Sequence, residues 1–276
     1  MSFRRSADTL PGAPDLSVDD FNRARRIAYE RAGLAIPDGK EGLVRARLGK
    51  RLRDRNVTTF GAYFDLVELE QGGEELTALI DLLTTNKTDF FREAAHFDFL
   101  VERLVPVYLS AGLQLRIWSA GCSSGEEAYS LAIVLREVLP AGFDFRILAT
   151  DISTRVVAMA KKGVYSAQQL AGVSAERRAR WFAPTPDGGA IVRPELRDTI
   201  SFAHLNLMAP WPMAGPFDAI FCRNVMIYFN KPTVTTLVRR FHDLLSHGGH
   251  LFVGHSESLT AIEHEYSYIQ PAVYVA

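Results

Sequence analysis

Residues 115–130 read LRIWSAGCSSGEEAYS: an apolar run suited to a buried strand, a glycine turn, and a helix that opens on two glutamates. Gly121 and Gly125 allow a sharp turn and a close approach of backbone to ligand. A helix N-terminus after such a turn ordinarily favours an anion, because its N–H groups and dipole carry partial positive charge. Here Glu126 and Glu127 occupy that position, and the pyrophosphate of a nicotinamide dinucleotide would meet two like charges. The crevice suits a ligand with cationic groups. S-adenosylmethionine, with a sulfonium and an α-ammonium, is the common nucleoside cofactor that has them. Glu127 is expected to face the amino group, and Glu126 also reads as a first-turn residue complementing the helix dipole.

Outward from this stretch, strands and helices alternate: LQLRIWSAG, a helix over 126–138, FRILATD, a helix over 153–162, ISFAHLNL, FDAIFCRN, a helix over 233–247, and HLFVGHSE. Such alternation predicts a doubly wound, mostly parallel α/β sheet covered by helices on both faces. The last segment, YSYIQPAVYVA, adds an antiparallel strand. An excess stretch, 163–199, carries a charged helix (SAERRARWF) and a PDGG turn signal and reads as an inserted lobe with a short hairpin.

Upstream the pattern differs. Residues 1–15, rich in Pro, Gly and Asp, read as a disordered lead, and 16–85 as a small all-α domain. Ser17 caps a first helix that Gly33 ends. A second, about 40–56, keeps Val44, Leu48 and Leu52 on one face. A third starts near Thr58 or Thr59 with Tyr63, Phe64 and Val67 inward, and a fourth spans 75–83. Residues 86–94 form a polar and aromatic junction, a helix follows over about 95–110, and the α/β domain occupies 95–276.

The 276 residues carry a net charge of −1, so overall charge selects no partner. No run approaches the ~20 apolar residues of a membrane span, and MSFRRSADTLPGAPD lacks the apolar core of a secretory signal. A cytoplasmic protein is expected. Cys122 and Cys222 lie at strand ends and read as buried free thiols rather than a disulfide. The histidines lack metal-ligand spacing, and no metal is expected.

In open α/β sheets the ligand lies beyond the carboxyl ends of the strands. The strand ends therefore form a shortlist: Gly121, Asp151, Asn206–Leu207, Arg223–Asn224 and His255. Asp151, which closes FRILATD, suits the ribose hydroxyls of an adenosine, though an Asp there also suits a helix N-cap.

The motifs NKTDFFR, WSAGCSSGEEAYS, ATDI, NLM, PFDAIFCRNVMIYF and GHSE, in this order and spacing, resemble those of the bacterial chemotaxis receptor glutamate O-methyltransferases. The likeness covers nearly the whole chain after about residue 16. It implies a Rossmann-like class I methyltransferase sheet with a small all-α N-terminal domain and an inserted small β lobe. It also implies that Asn86, Thr88 and Arg92 of the junction reach over S-adenosylmethionine, with Gly121 at the turn. Glu127 and Asp151 contact it from the first two strands, Asn206 and Leu207 flank the adenine, and Arg223 and Asn224 complete the floor. Arg92 and Tyr228 sit nearest the methyl group. Phe90 and Phe91 are read as packing between the domains.

The implied reaction is an in-line displacement by a glutamate carboxylate, which needs no general base because it is ionised at neutral pH. His255 is therefore read as a hydrogen-bonded structural histidine. The alternative is a noncatalytic module that binds S-adenosylmethionine or S-adenosylhomocysteine and signals. An amino-group methyltransferase for nucleic acid is disfavoured, since Arg223-Asn224-Val225-Met226 stands where its N/D-P-P-Y/F-like motif would.

Between Lys40 and Arg55 seven basic residues face two acidic ones, a local charge of +5. Arg47, Lys50, Arg51 and Arg53 are candidates for substrate docking, with a solvated helix face as the plain alternative. The resemblance implies that the partner is the cytoplasmic helical bundle of methyl-accepting chemoreceptors. No nucleic acid or membrane insertion is expected, and the chain is read as a monomer. In some relatives the β lobe captures a receptor peptide by adding a strand. The APTPDGGA connection is shorter here, so recognition without that tether is expected.

Overall fold

The computed structural model describes residues 14–69 and 73–276. Most of the expected disordered lead, 1–13, thus lies outside the described residues. The chain divides into two compact units between Thr85 and Asn86.

The first unit is helical. Helix α1 (Val18–Ala32) starts where Ser17 Oγ accepts the Asp20 N–H at 3.0 Å, and ends at Gly33 with φ 70°. Helices α2 (Glu41–Asp54), α3 (Phe60–Leu69) and α4 (Glu74–Leu83) follow. Phe21, Ile27, Leu48, Leu52, Tyr63, Phe64 and Leu79 form their shared core. Glu75 is also buried, at 0% exposure, an outcome its charge hides in the sequence. Its carboxylate receives Arg51, through Nε at 3.1 Å, and Arg55 at 2.7 Å. Arg47 donates to the carbonyls of Leu83 (2.6 Å) and Thr84 (3.2 Å), which α4 leaves without helical partners. Two of the four expected docking residues, Arg47 and Arg51, are thereby engaged inside the unit. Lys50 and Arg53 are the exposed pair.

The second unit begins with α5 (Ala95–Phe99), a π-helical turn at Leu100–Leu104 and α6 (Val105–Ala111). Then come β1 (Leu115–Ala120), α7 (Glu126–Val138), β2 (Phe145–Asp151) and α8 (Thr154–Lys162). The inserted lobe holds β3 (Val164–Tyr165), α9 (Ala175–Trp181), β4 (Phe182–Pro184), β5 (Ala190–Val192) and α10 (Pro194–Arg197). The expected hairpin is β4–β5, and β3 extends it to a three-stranded antiparallel sheet. The main sheet is completed by β6 (Ile200–His204), β7 (Phe217–Cys222), α11 (Lys231–His242), β8 (Leu245–Val253), β9 (Ser267–Gln270) and β10 (Val273–Val275).

The seven strands run in the order β6-β2-β1-β7-β8-β10-β9. The first five are parallel, and β10 lies antiparallel between β8 and β9. The order reverses at β1, which opens a crevice past the carboxyl ends of β1 and β7. Strand β1 is buried on both faces, as a central parallel strand must be when helices cover it. Both cysteines are free and buried. Among the described residues, no helix is long and apolar enough to cross a membrane.

Three expectations shift. The helix expected over 233–247 runs from Lys231 to His242. Asn230 caps it by accepting the Thr233 N–H at 3.1 Å, and Pro232 sits in its first turn, where no N–H is needed. Residues 245–247 belong instead to β8. The C-terminal segment forms two strands rather than one, because Ala272 (φ 64°) turns the chain back on itself. Phe90 packs edge-on against Tyr165 and Phe182 of the inserted lobe, and Phe91 against Phe97, so both serve the core of their own unit.

Replacing Glu75 by alanine leaves Arg51 and Arg55 without their shared carboxylate. Because both arginines keep partial contact with water, the loss is discounted from the full buried-pair value to ~2 kcal/mol of unfolding free energy. Urea denaturation of the full chain checks this.

Candidate cofactor site

The turn after β1 takes the predicted shape. Gly121 and Gly125 have φ of 95° and 99°, a region that side chains with a Cβ avoid. A Cβ at Gly121 would lie 2.3 Å from Val225 Cγ2, so the turn passes directly over the loop after β7. The N–H groups of Gly121 and Cys122 both reach the Thr150 carbonyl, at 2.8 and 2.9 Å, and tie the turn to the end of β2.

Asp151 is not the N-cap of α8, which is Ser153, whose Oγ accepts the Val156 N–H. The Asp151 carboxylate instead braces the segments on either side of the crevice. Its Oδ1 accepts the Ser153 N–H at 2.9 Å, at the start of α8, and its Oδ2 accepts the Ser123 N–H at 2.8 Å from the glycine turn. Asn206 and Leu207 follow β6 and are held beside Asp151, whose carbonyl accepts the Leu205 N–H at 3.0 Å. Asn206 Oδ1 is engaged by the Met208 N–H at 2.9 Å.

The two glutamates of α7 part company. Glu126 turns toward the inserted lobe, accepting Ser124 Oγ at 2.7 Å and Gln169 Nε2 at 3.3 Å; burial pushes its carboxyl above the usual range. Glu127 faces the crevice. It accepts Ser119 Oγ at 2.6 Å and Arg223 Nη1 at 3.0 Å. Burial also raises its carboxyl, against the pull of the Arg223 charge.

Arg223 is the hub. Its side chain is 2% exposed, and it bonds Glu127, the Arg92 carbonyl and Glu93, the last through Nε (3.3 Å) and Nη2 (3.1 Å). Glu93 also accepts the His255 N–H at 3.3 Å. Burial alone would raise the Glu93 carboxyl; the Arg223 charge and the His255 N–H outweigh it and hold it low.

The junction joins the same structure. The Asn86 carbonyl accepts Ser123 Oγ at 3.0 Å, and the Phe91 N–H meets Ser130 Oγ at 2.9 Å. Thr88 and Arg92 are half-buried here. The Arg92 guanidinium reaches the Lys87 carbonyl at 3.4 Å. Tyr228 ends a 3-10 turn, Met226–Tyr228, just past Asn224. That loop is fastened by Glu257, which accepts the N–H groups of Asn224 (2.6 Å), Gly254 (2.6 Å) and Ile227 (3.1 Å).

Glu93 and Glu257 are the residues that the sequence reading missed. Glu93 lies in the 86–94 junction and Glu257 in the GHSE motif, but nothing local reveals what a charged loop residue will face. Tertiary structure also gathers Glu93, His96 and His255, each with one ligating atom within 4.8 Å of the others. His96 is fully buried, and burial, with the Arg223 charge, depresses its imidazole to about 4. The cation that Glu93 faces is the Arg223 guanidinium.

The residues fit S-adenosylmethionine. A carboxylate and a guanidinium side by side match the ammonium and carboxylate of an amino acid, Asp151 matches a ribose, and the glycine turn leaves room for close approach. Fold and site together define a class I S-adenosylmethionine-dependent methyltransferase. Two family models match the chain: CheR methyltransferase, all-alpha domain, over residues 19–84, and CheR methyltransferase, SAM binding domain, over 86–275. The chain belongs to the CheR family of chemotaxis protein methyltransferases.

A chemotaxis protein methyltransferase of Escherichia coli is 41% identical over 264 residues, 94% of this chain and 91% of that one. Chemotaxis protein methyltransferase 2 of Pseudomonas aeruginosa is 42% identical over 262 residues, 93% and 92% of the two chains. The Borreliella burgdorferi protein is 35% identical over 269 residues, 94% and 95%.

Gly121→Ala forces a Cβ into an unfavourable φ and onto Val225. It is expected to cost ~1–3 kcal/mol of stability and to weaken S-adenosylhomocysteine binding, read by urea denaturation and calorimetry. Adding Val225→Ala relieves the collision but not the backbone strain, so recovery is partial.

Proposed function

We propose that this chain esterifies glutamate side chains of chemoreceptors, leaving glutamyl methyl esters. The observation that carries the reading is the acidic crevice at the sheet's switch point, where Glu127 and Arg223 stand paired at 3.0 Å in a chain of this family. When bound, S-adenosylmethionine supplies a methyl group on a positively charged sulfur, which a carboxylate oxygen displaces in line to leave S-adenosylhomocysteine.

The protein's own residues bind, orient and exclude water. Glu127 takes the ammonium, Arg223 the carboxylate and Asp151 the ribose, while Asn206 and Leu207 flank the adenine and Asn224, Asn86 and Thr88 complete the enclosure. Arg92 orients the incoming glutamate through its N–H fork, and Tyr228 lines the same approach. A solvent-exposed glutamate titrates near ~4.3, so it arrives ionised and no side chain need remove a proton. Holding oxygen, carbon and sulfur in line can supply up to ~7–11 kcal/mol of the barrier reduction.

The receptor's acidic helical bundle is the substrate surface, and the exposed Lys50 and Arg53 of α2 are its contacts, with Arg47 and Arg51 supporting them from within the unit. Reversal of both contacts (Lys50→Glu with Arg53→Glu) is expected to raise the KM for receptor several-fold at low salt, and less at high salt as charges are screened. The unfolding midpoint should not move. An unchanged KM would remove α2 from the docking surface.

The reaction itself is tested with methyl-labelled cofactor, receptor fragments and mild base. Methyl esters release volatile methanol, whereas base-stable label would reject the ester and binding without transfer would favour a noncatalytic module. Arg92→Ala is expected to lower kcat ~100-fold, the scale of one lost orienting group, with cofactor affinity little changed. Asp151→Ala should do the reverse, as calorimetry and initial rates would resolve.

A further inference from the structure

Glu127 has a partner before any ligand arrives: one oxygen accepts Ser119 Oγ and the other the Arg223 guanidinium. An ammonium that comes to Glu127 must compete with that guanidinium. Arg223 is 2% exposed, so water cannot replace a lost carboxylate. Without Glu93 that buried cation would keep only the Arg92 carbonyl and the one carboxylate the ligand itself brings, a poorly compensated charge, and Arg223 would then favour staying on Glu127.

Glu93 removes the conflict. It holds the guanidinium through Nε and Nη2, leaving Nη1 for Glu127, and its other oxygen is anchored by the His255 N–H. The same residue shapes the turn that carries Arg92. Phe91 and Glu93, on either side of it, have φ of 55° and 57°, a left-handed conformation that non-glycine residues keep only where the surroundings enforce it. The Phe91 N–H is fixed on Ser130 Oγ, the Arg92 carbonyl on Arg223, and the Glu93 side chain on Arg223 and the His255 backbone.

We propose that Glu93 is a positioning residue for methyl transfer. It retains Arg223 while Glu127 exchanges the guanidinium for the cofactor's ammonium, and the same bonds hold the turn that presents Arg92. This rests on the assignment of Glu127 to the ammonium and Arg92 to the substrate given above.

A binding cycle tests it without turnover. S-adenosylhomocysteine, which keeps the amino-acid moiety, is titrated calorimetrically into the unaltered chain, Glu93→Gln, Glu127→Gln and the double variant. Glu93→Gln is expected to weaken binding ~10-fold or more, as truncation in a buried charge network does. In the Glu127→Gln background it should change affinity by no more than ~2-fold, because no exchange remains to be assisted. Urea midpoints measured alongside separate this from a purely structural role, which would lower the midpoint and leave the affinity of folded protein intact.

Should Glu93→Gln not fold, Glu93→Asp carries the cycle: the charge remains, the reach to Arg223 and His255 is shortened, and several-fold weaker binding confined to the Glu127 background is expected. An unchanged affinity, or an equal loss in both backgrounds, overturns the proposal. If the unaltered chain binds no S-adenosylhomocysteine, the cofactor-site reading falls with it; if it binds but shows no coupling, the proposal alone falls.

Discussion

A guanidinium almost wholly removed from water, between two carboxylates and a carbonyl, organises the second unit's site. Burying Arg223 is expensive unless each of its N–H groups finds an acceptor, and the partners that supply them lie far apart in the chain. Glu127 is 96 positions away and Glu93 is 130. One side chain therefore draws the end of β7, the first turn of α7, the junction and the loop after β8 to a single point. Any rearrangement of one segment disturbs the partners of the rest.

The electrostatics of the crevice follow from how each carboxylate is satisfied. Asp151 and Glu257 accept backbone N–H groups, and these bonds tie the glycine turn and the loops after β7 and β8 into one frame. Glu126 is committed to Ser124 and Gln169. Glu127 alone of the pair faces the crevice with a mobile type of partner, a cation that another cation can replace. An anionic pyrophosphate has no place there. A zwitterion beside a sulfonium does.

How much of this was legible from sequence varies by element, with a physical cause in each case. Helix α1 shows its start and end because Ser17 and Gly33 cap it with local bonds, and β2 and α7 keep the bounds read for them because strand composition, turn glycines and helix opening adjoin. The end of α11 was misplaced because Leu244 and Leu245 continue an apolar pattern that both a helix and a strand accept. Only pairing of β8 with β7 decides between them. Phe90 was read as packing between the domains; it is core of its own unit instead, because the lobe it packs against lies 75 residues or more downstream, at Tyr165 and Phe182.

The glycine turn with its two glutamates, the alternation of strand and helix and the order of the motifs already determined the doubly wound fold, the cofactor and the family, because each is written in neighbouring residues. Tertiary structure decided which charges meet: that Arg47 and Arg51 serve the helical unit's interior, that Glu126 turns away from the crevice, and that Glu93 holds Arg223. Turns, caps and periodicity arise from contacts a few residues apart. The pairing of buried charges depends on distances that exist only after the sheet has brought remote segments together.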